Sequence, residues 1–355
     1  MKNFGIRAFM LGSALLIFIV LSVGCSSTDK GKPVVKNGKI TIGFSMATLQ
    51  EERWQRDMEF LVAKAKTKGA DVIVQNANNS TEDQIKQVKY LLEQNIDILL
   101  IVPQDSERSA EAVELAKKKG VKVICYDRLI RNANADFYVS FDNIKVGEYM
   151  ASLMVSKVPS GNYIVINGAK TDYNSYMYNK GYKNILNKYI YDNSINIVDE
   201  IWANDWRPED AFKCVEKVLQ SGKKVDAVLA ANDSLAGAAI EALSEQQLAG
   251  KVLVAGHDAD ISGCQRVAEG TQMMTVYKPI DQLAEKAVDV ALGLLKNNYY
   301  ACNTFISDGE NDIPYAKVDP IVVTKDNLVN TVIDDGFHRL EEVYLNVPKS
   351  QWPRK

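Results

Sequence analysis

Five short clusters of Asp, Asn, Arg, Trp and Glu each follow directly on a strand-like apolar run. Glu52-Arg53-Trp54 comes after residues 40–44, Asp127-Arg128 after 121–126, Asp172-Tyr173-Asn174 after 162–167, Asn232-Asp233 after 225–231 and Asp258-Ala259-Asp260 after 251–256. Carboxylates only accept hydrogen bonds and guanidinium groups only donate them, the latter from a planar fork. A set holding both suits a neutral ligand covered in hydroxyls, each of which donates and accepts. In an open parallel α/β sheet, ligands sit in the crevice outside the carboxyl ends of the strands. The chemistry indicated is noncovalent recognition of a sugar.

Each cluster also has a plainer reading. Arg53 can fork onto adjacent hydroxyls or a ring oxygen, or it can be a surface Arg on the first turn of a helix. Asp127 and Arg128 can make charge-assisted bonds of about 1.5–3 kcal/mol each, or form an ordinary ion pair. Trp202 and Trp206 bracket Asn204-Asp205; an aromatic face matches the C–H face of a pyranose. Trp202, at a strand end, fits a core position better, which leaves Trp206 for the ligand. Asp233 reads as the N-cap of the following helix, freeing Asn232, and of the acids after the next strand Asp258 is the ligand choice and Asp260 the cap. The two histidines, His257 and His338, have no nucleophile nearby in sequence, and His257 reads as structural. With no Gly-x-Ser-x-Gly elbow, P-loop or metal-spaced His pair, the chain is expected to be no enzyme and to need no cofactor or metal. A formal charge of −3 gives no electrostatic case for nucleic acid.

Strand-like and helix-like segments alternate regularly. Strand runs at 40–44, 72–75, 98–102 and 121–126 enclose helical patterns at 52–68, 81–94 and 106–119, with Gly69 and Gly120 as stop signals. The pattern restarts after Ser140-Phe141-Asp142-Asn143, with helices at 146–158, 176–189, 210–219 and 235–244 between strands at 163–167, 195–202, 227–231 and 252–255. Strands alternating with helices indicate βαβ units and parallel sheets. Two such series imply two lobes and a cleft.

Lys2 and Arg7 precede an apolar stretch, 8–23, that stops at Gly24-Cys25. It is short and one-sided for a membrane span and reads as a secretory signal over 1–24, with an uncleaved anchor helix as the alternative. Cys25 followed by Ser26-Ser27 resembles a bacterial lipoprotein signal, so Cys25 is the expected lipidation site and the membrane is reached through that anchor only. Residues 25–38 read as a flexible tether. Of the other cysteines, Cys125 and Cys214 lie in strand-like and helix-like runs and are expected to be buried free thiols.

From about residue 39 to 338 the chain resembles the ribose-binding-like (type I) family of periplasmic-type solute-binding proteins. The resemblance rests on Glu52-Arg53-Trp54-Gln55, Tyr126-Asp127-Arg128, Phe141-Asp142-Asn143, Trp206-x-Pro-Glu, Asn232-Asp233, His257-Asp258-Ala259-Asp260, Thr275-Val-Tyr-Lys-Pro279 and Asp335-Gly-Phe-His338. It implies an α/β fold of two Rossmann-like, doubly wound parallel-sheet lobes joined by a three-crossing hinge. The first lobe would hold 39–141 plus 280–310, the second 142–279 plus 311–345. The ligand set implied is Arg53, Trp54, Asp127, Arg128, Asp172, Asn174, Trp206, Asn232, Asp258 and Lys278; Lys278 enters through the resemblance alone. D-xylose or a related monosaccharide would be the ligand. The partner would be an ABC permease or, in the alternative, the ectodomain of a sensor histidine kinase. Two positions depart from the family pattern: Tyr173, where a small amide is usual, and His257, where Gln is usual.

Overall fold

A computed structural model of the chain describes residues 38–353. The leader, Cys25 and nearly all of the tether lie outside the described residues. From there the chain runs β1 (Ile40–Met46), α1 (Glu52–Thr67), β2 (Ala70–Asn76), α2 (Thr81–Glu93), β3 (Ile98–Ile101), α3 (Ala110–Lys118), β4 (Lys122–Tyr126) and β5 (Phe137–Phe141). It continues with α4 (Asn143–Lys157), β6 (Gly161–Asn167), α5 (Tyr173–Tyr191), β7 (Ile195–Trp202), α6 (Pro208–Gln220), β8 (Ala227–Ala230), α7 (Asp233–Glu245), β9 (Leu253–Ala255), α8 (Ile261–Glu269) and β10 (Thr275–Tyr277). Then come α9 (Ile280–Asn297), β11 (Phe305–Ser307), β12 (Asp312–Val318), β13 (Ile321–Val323) and α10 (Leu340–Val343).

These strands form two larger sheets and one two-stranded pair. The first has the order β11-β12-β5-β4-β3-β1-β2 and is parallel except for the β11–β12 pair. The second has the order β7-β6-β8-β9, all parallel. A single Ala255–Met274 bridge extends it toward the antiparallel β10–β13 pair. Each order reverses once, between β1 and β3 and between β6 and β8, the point at which a doubly wound sheet opens a crevice. Strand β3 shows why the runs are continuously apolar: Ile98 and Leu100 face the core under α1 and α9, while Leu99 and Ile101 face the core under α2 and α3. The helix signals act locally: the Ser80 side chain caps α2 through Asp83 N–H at 3.2 Å, Pro208 opens α6, and Gly270 closes α8 at φ +93°.

The chain passes between the lobes after β5, after β10 at Lys278-Pro279, and after β12 at Asp319-Pro320. That last crossing corrects the expected boundary: β12 pairs with β5 along Tyr315–Tyr138 to Val318–Phe141, so residues 312–318 lie in the first lobe rather than the second. β12 lies between β11 and β5, and pairing with a strand so far earlier in the chain is something local sequence does not reveal. Cys125 and Cys214 are buried free thiols, and burial pushes both up to about 12. Among the described residues no helix is long and apolar enough to cross a membrane.

Candidate functional site

The carboxyl ends of β1, β4, β6, β8 and β9 converge on one cavity between the lobes. Glu51, Arg53, Trp54, Asp127, Arg128, Asp172, Asn174, Tyr178, Trp206, Asn232, His257, Asp258 and Lys278 line it. All ten residues proposed from sequence are therefore brought together.

Arg53, on the first turn of α1, is 4 % exposed, which excludes the reading of a surface Arg. Its guanidinium donates to Asp57 Oδ2 at 2.9 and 3.1 Å and to Asp127 Oδ2 at 2.8 Å, and it lies 3.5 Å from Asp258 Oδ1 in the other lobe. One cation thus serves three carboxylates. Arg53 and Arg128 also lie over the Trp54 ring, at 4.2 and 5.0 Å from its centroid, so the indole orders both forks by cation–π contact. Arg128 Nε lies 2.7 Å from Asp172 Oδ2 across the cleft, in ion-pair contact without hydrogen-bond alignment. Asp172 N-caps α5 through Asn174 N–H at 2.9 Å. Asn174 donates to the Asp127 side chain at 3.1 Å and to its carbonyl at 3.2 Å, while accepting from Tyr138 and Asn143. Its amide is fully engaged by protein. Lys278, at the second crossing, reaches Asp258 Oδ1 at 2.7 Å.

Three cavity residues hold strained backbone. Asp127, Trp206 and Asp258 have φ of +60°, +61° and +99°, a region non-glycine residues enter at a cost of about 1–3 kcal/mol and mostly at functional sites. Trp206 ends a tight turn after β7. Its ring lies so close over Gly168 that a Cβ there would come within 2.2 Å of it. The same holds where α4 crosses α5: a Cβ on Gly147 would lie 2.2 Å from the Tyr178 carbonyl, and this close approach seats Tyr178 in the wall.

Two readings are corrected. Asn232, not Asp233, caps α7, accepting from Leu235 N–H at 2.8 Å. Asp233 is buried beneath, accepting from Gln272 at 2.6 Å, Thr275 at 2.8 Å and Asp260 N–H at 3.1 Å. Trp202 is half-buried and packs on the exposed Tyr176 at 4.6 Å instead of entering the core.

Sequence reasoning missed Glu51 and Tyr178 and set His257 aside. Tyr178 stands four residues after Asn174 on the same helix face, and Glu51 directly precedes the Glu-Arg-Trp cluster; both signals were available. His257 is 1 % exposed with neither ring nitrogen hydrogen-bonded, and it packs edge-on against Tyr178 at 4.5 Å. Glu51 Oε2, Arg128 Nε, Trp206 Nε1 and Asp258 Oδ1 are likewise buried without a hydrogen-bond partner. Buried polar atoms nearly always find partners, and these surround one space.

Electrostatics keep the site charged but balanced. Burial raises the Asp258 carboxyl, but the His257 ring, Lys278 and Arg53 outweigh it and hold Asp258 well below the usual range. Burial likewise opposes ionisation of Asp127, and Arg53, Lys278 and Arg128 prevail. Burial lowers His257 and raises Glu51 and Asp172. Asp57, farthest back in the Arg53 cluster, is raised by burial to about 6, although Arg53 and a 2.5 Å bond from Tyr126 resist it. A raised carboxyl favours the folded state as it takes up its proton. Between about pH 6 and the ordinary 3.8 the wild type should therefore gain stability over D57N, by on the order of 1–3 kcal/mol, and the gain is absent at pH 7.5. Urea midpoints of both proteins at pH 7.5, 6 and 5 check this; a constant difference would refute it.

The family profile described as a periplasmic binding protein domain matches residues 42–298. The chain belongs to the periplasmic binding protein family. Such proteins work outside the cytoplasmic membrane. The D-xylose-binding periplasmic protein of Haemophilus influenzae is 44% identical over 333 residues, covering 94% of this chain and 98% of its own length. The D-xylose-binding periplasmic protein of Escherichia coli is 42% identical over 306 residues, covering 86% and 93%. Among solved structures, a carbohydrate-transporter solute-binding protein from Chloroflexus aurantiacus in complex with D-glucose superposes with a TM-score of 0.81 at 26% identity, over 86% of this chain and 98% of that one. The two-lobe, type I periplasmic-binding-protein architecture is thus shared with sugar-binding relatives.

Proposed function

We propose that the protein captures D-xylose in the interlobe cavity and delivers it to an ABC permease. The observation that carries this is the set of buried polar atoms without a hydrogen bond on Glu51, Trp206 and His257, around an interlobe cavity whose wall mixes charges of both signs. A neutral polyol satisfies such a wall without bringing charge into it. The two relatives named for D-xylose narrow the class to a pentose. In this reading Arg53, Asp127, Arg128, Asp172, Asn232, Asp258 and Lys278 supply or organise the polar contacts, and Trp54 and Trp206 the apolar walls. Asn174 acts mainly by holding Asp127. Because the residues come from both lobes, sugar binds the closed form better than the open one and shifts the population toward it. The sensor-kinase reading has no observation on its side.

Calorimetric titration of protein beginning after Cys25 should show one-to-one binding of D-xylose, with D-ribose, L-arabinose and D-glucose weaker. Binding of another sugar in preference would move the specificity to His257 and its neighbours; heat from none of the four, with folded and sugar-free protein, would end the proposal. The proposal extends to a lipid anchor at Cys25, for which the Gly24-Cys25-Ser26-Ser27 sequence is the support. C25S should then release the chain from membranes on fractionation. Retention of C25S on the membrane would point to an uncleaved anchor helix instead.

A further inference from the structure

Tyr173 lines no part of the sugar cavity. It sits at the first position of α5 in the second lobe and faces outward along the cleft rim. There its ring lies under Arg131, which belongs to the β4–β5 loop of the first lobe, with the guanidinium carbon 4.2 Å from the ring centroid. Tyr173 also packs against the first lobe's own apolar cluster, the one under α2 and α3. On the same rim, Ser106 N–H of the first lobe donates to the Thr171 carbonyl of the second at 2.8 Å, and Arg131 N–H donates to the Ser106 carbonyl at 2.6 Å. Gly309, in the β11–β12 turn, lies close to the Arg131 guanidinium: a Cβ there would come within 2.9 Å of Nη2. The pairing therefore joins a side chain of one lobe to a side chain of the other.

We infer that Tyr173 and Arg131 form a closure latch, an affinity-determining pair that acts through the open–closed equilibrium and touches no sugar. The inference rests on the sugar-binding reading above, since only a protein that closes on a ligand gains from it. The physical reason is direct. The contact exists only when the lobes meet, so it adds to the stability of the closed form whatever the ligand. Apparent affinity scales with the population of the binding-competent form, and a cation–π contact at a partly exposed rim contributes enough to shift that population several-fold. A smaller residue at 173 would leave the rim joined by the Ser106–Thr171 bond and little else from this pair. The latch lies outside the cavity, so it scales every sugar by one factor and leaves their order unchanged. That separates it from a specificity residue.

The test uses the soluble chain with the full sugar panel, reading affinity by calorimetry and release rate by stopped-flow intrinsic fluorescence, with Trp54 and Trp206 as the reporters in the wall. Y173A and R131A should each weaken D-xylose binding by about 3- to 10-fold, mostly through faster release. The double variant should be little worse than the weaker single one, because both remove the same contact. Y173F keeps the ring and should retain wild-type behaviour, and melting curves identify any variant that fails to fold. The order of preference among sugars should be the same in every variant. Wild-type affinity and release in Y173A and R131A would overturn the latch while leaving the sugar-binding reading intact, and so would a reordered sugar preference. A wild type that binds none of the sugars would overturn both, and it would show first in the unmodified protein.

Discussion

Replacing Asp258 should cost D-xylose affinity by about two orders of magnitude or more. Asp258 is 6 % exposed and its Oδ1 lies 2.7 Å from Lys278 and 3.5 Å from Arg53, so its carboxylate stays ionised in the cavity wall. Each charge-assisted bond that it gives a sugar hydroxyl contributes about 1.5–3 kcal/mol, and tenfold in affinity is about 1.4 kcal/mol. D258N is the better variant, because D258A also leaves two buried cations facing an empty space and would confuse binding with folding. Arg128→Ala should have an effect of the same order, since Arg128 is ion-paired with Asp172 across the cleft and lies over the Trp54 ring. Calorimetry alongside thermal melts decides it: near-native affinity in well-folded D258N would remove Asp258 from the site.

The second large effect is on stability rather than binding. Arg53→Met would leave the carboxylates of Asp57, Asp127 and Asp258 buried around a missing cation. Removing one partner of a buried ion pair costs about 3–5 kcal/mol, and here a single guanidinium neutralises three partners. The sign of the pH dependence follows from the same geometry. Without Arg53 the three carboxylates shift upward, so the folded state takes up protons more readily than the unfolded chain, and protonation then favours the fold. The deficit should be largest at neutral pH and shrink as pH falls toward the ordinary carboxylate range. R53K should rescue only in part, because an ammonium lacks the planar fork. Urea midpoints at pH 7.5 and 5 test both parts; a loss under about 1 kcal/mol at pH 7.5 would mean that the cluster relaxes or admits water.

Much of this was legible along the chain. Alternating apolar runs and amphipathic stretches foretold the parallel sheets, and Asp or Arg placed just after a strand foretold the cavity wall. Two gaps show where local signals stop. Strand β12 pairs with β5, far earlier in the chain, so the residues near it do not mark which lobe it joins. Asn232 and Asp233 are adjacent and chemically similar, and either type caps a helix. Only the packing of Gln272 and Thr275 against Asp233 assigns it the buried role and leaves the cap to Asn232.

Sequence by itself determined the parts whose physics is local: the period of each element, the turn and cap residues, and the polar groups that each strand delivers at its end. Tertiary structure alone decided how those groups share partners. Whether one guanidinium serves one carboxylate or three, whether Asn174 faces ligand or Asp127, and whether Tyr173 enters the cavity or grips Arg131 at the rim depend on distances between residues far apart in the chain. Hydrogen bonds and ion pairs fall off within a few ångströms, so those assignments exist only once the two lobes are brought together.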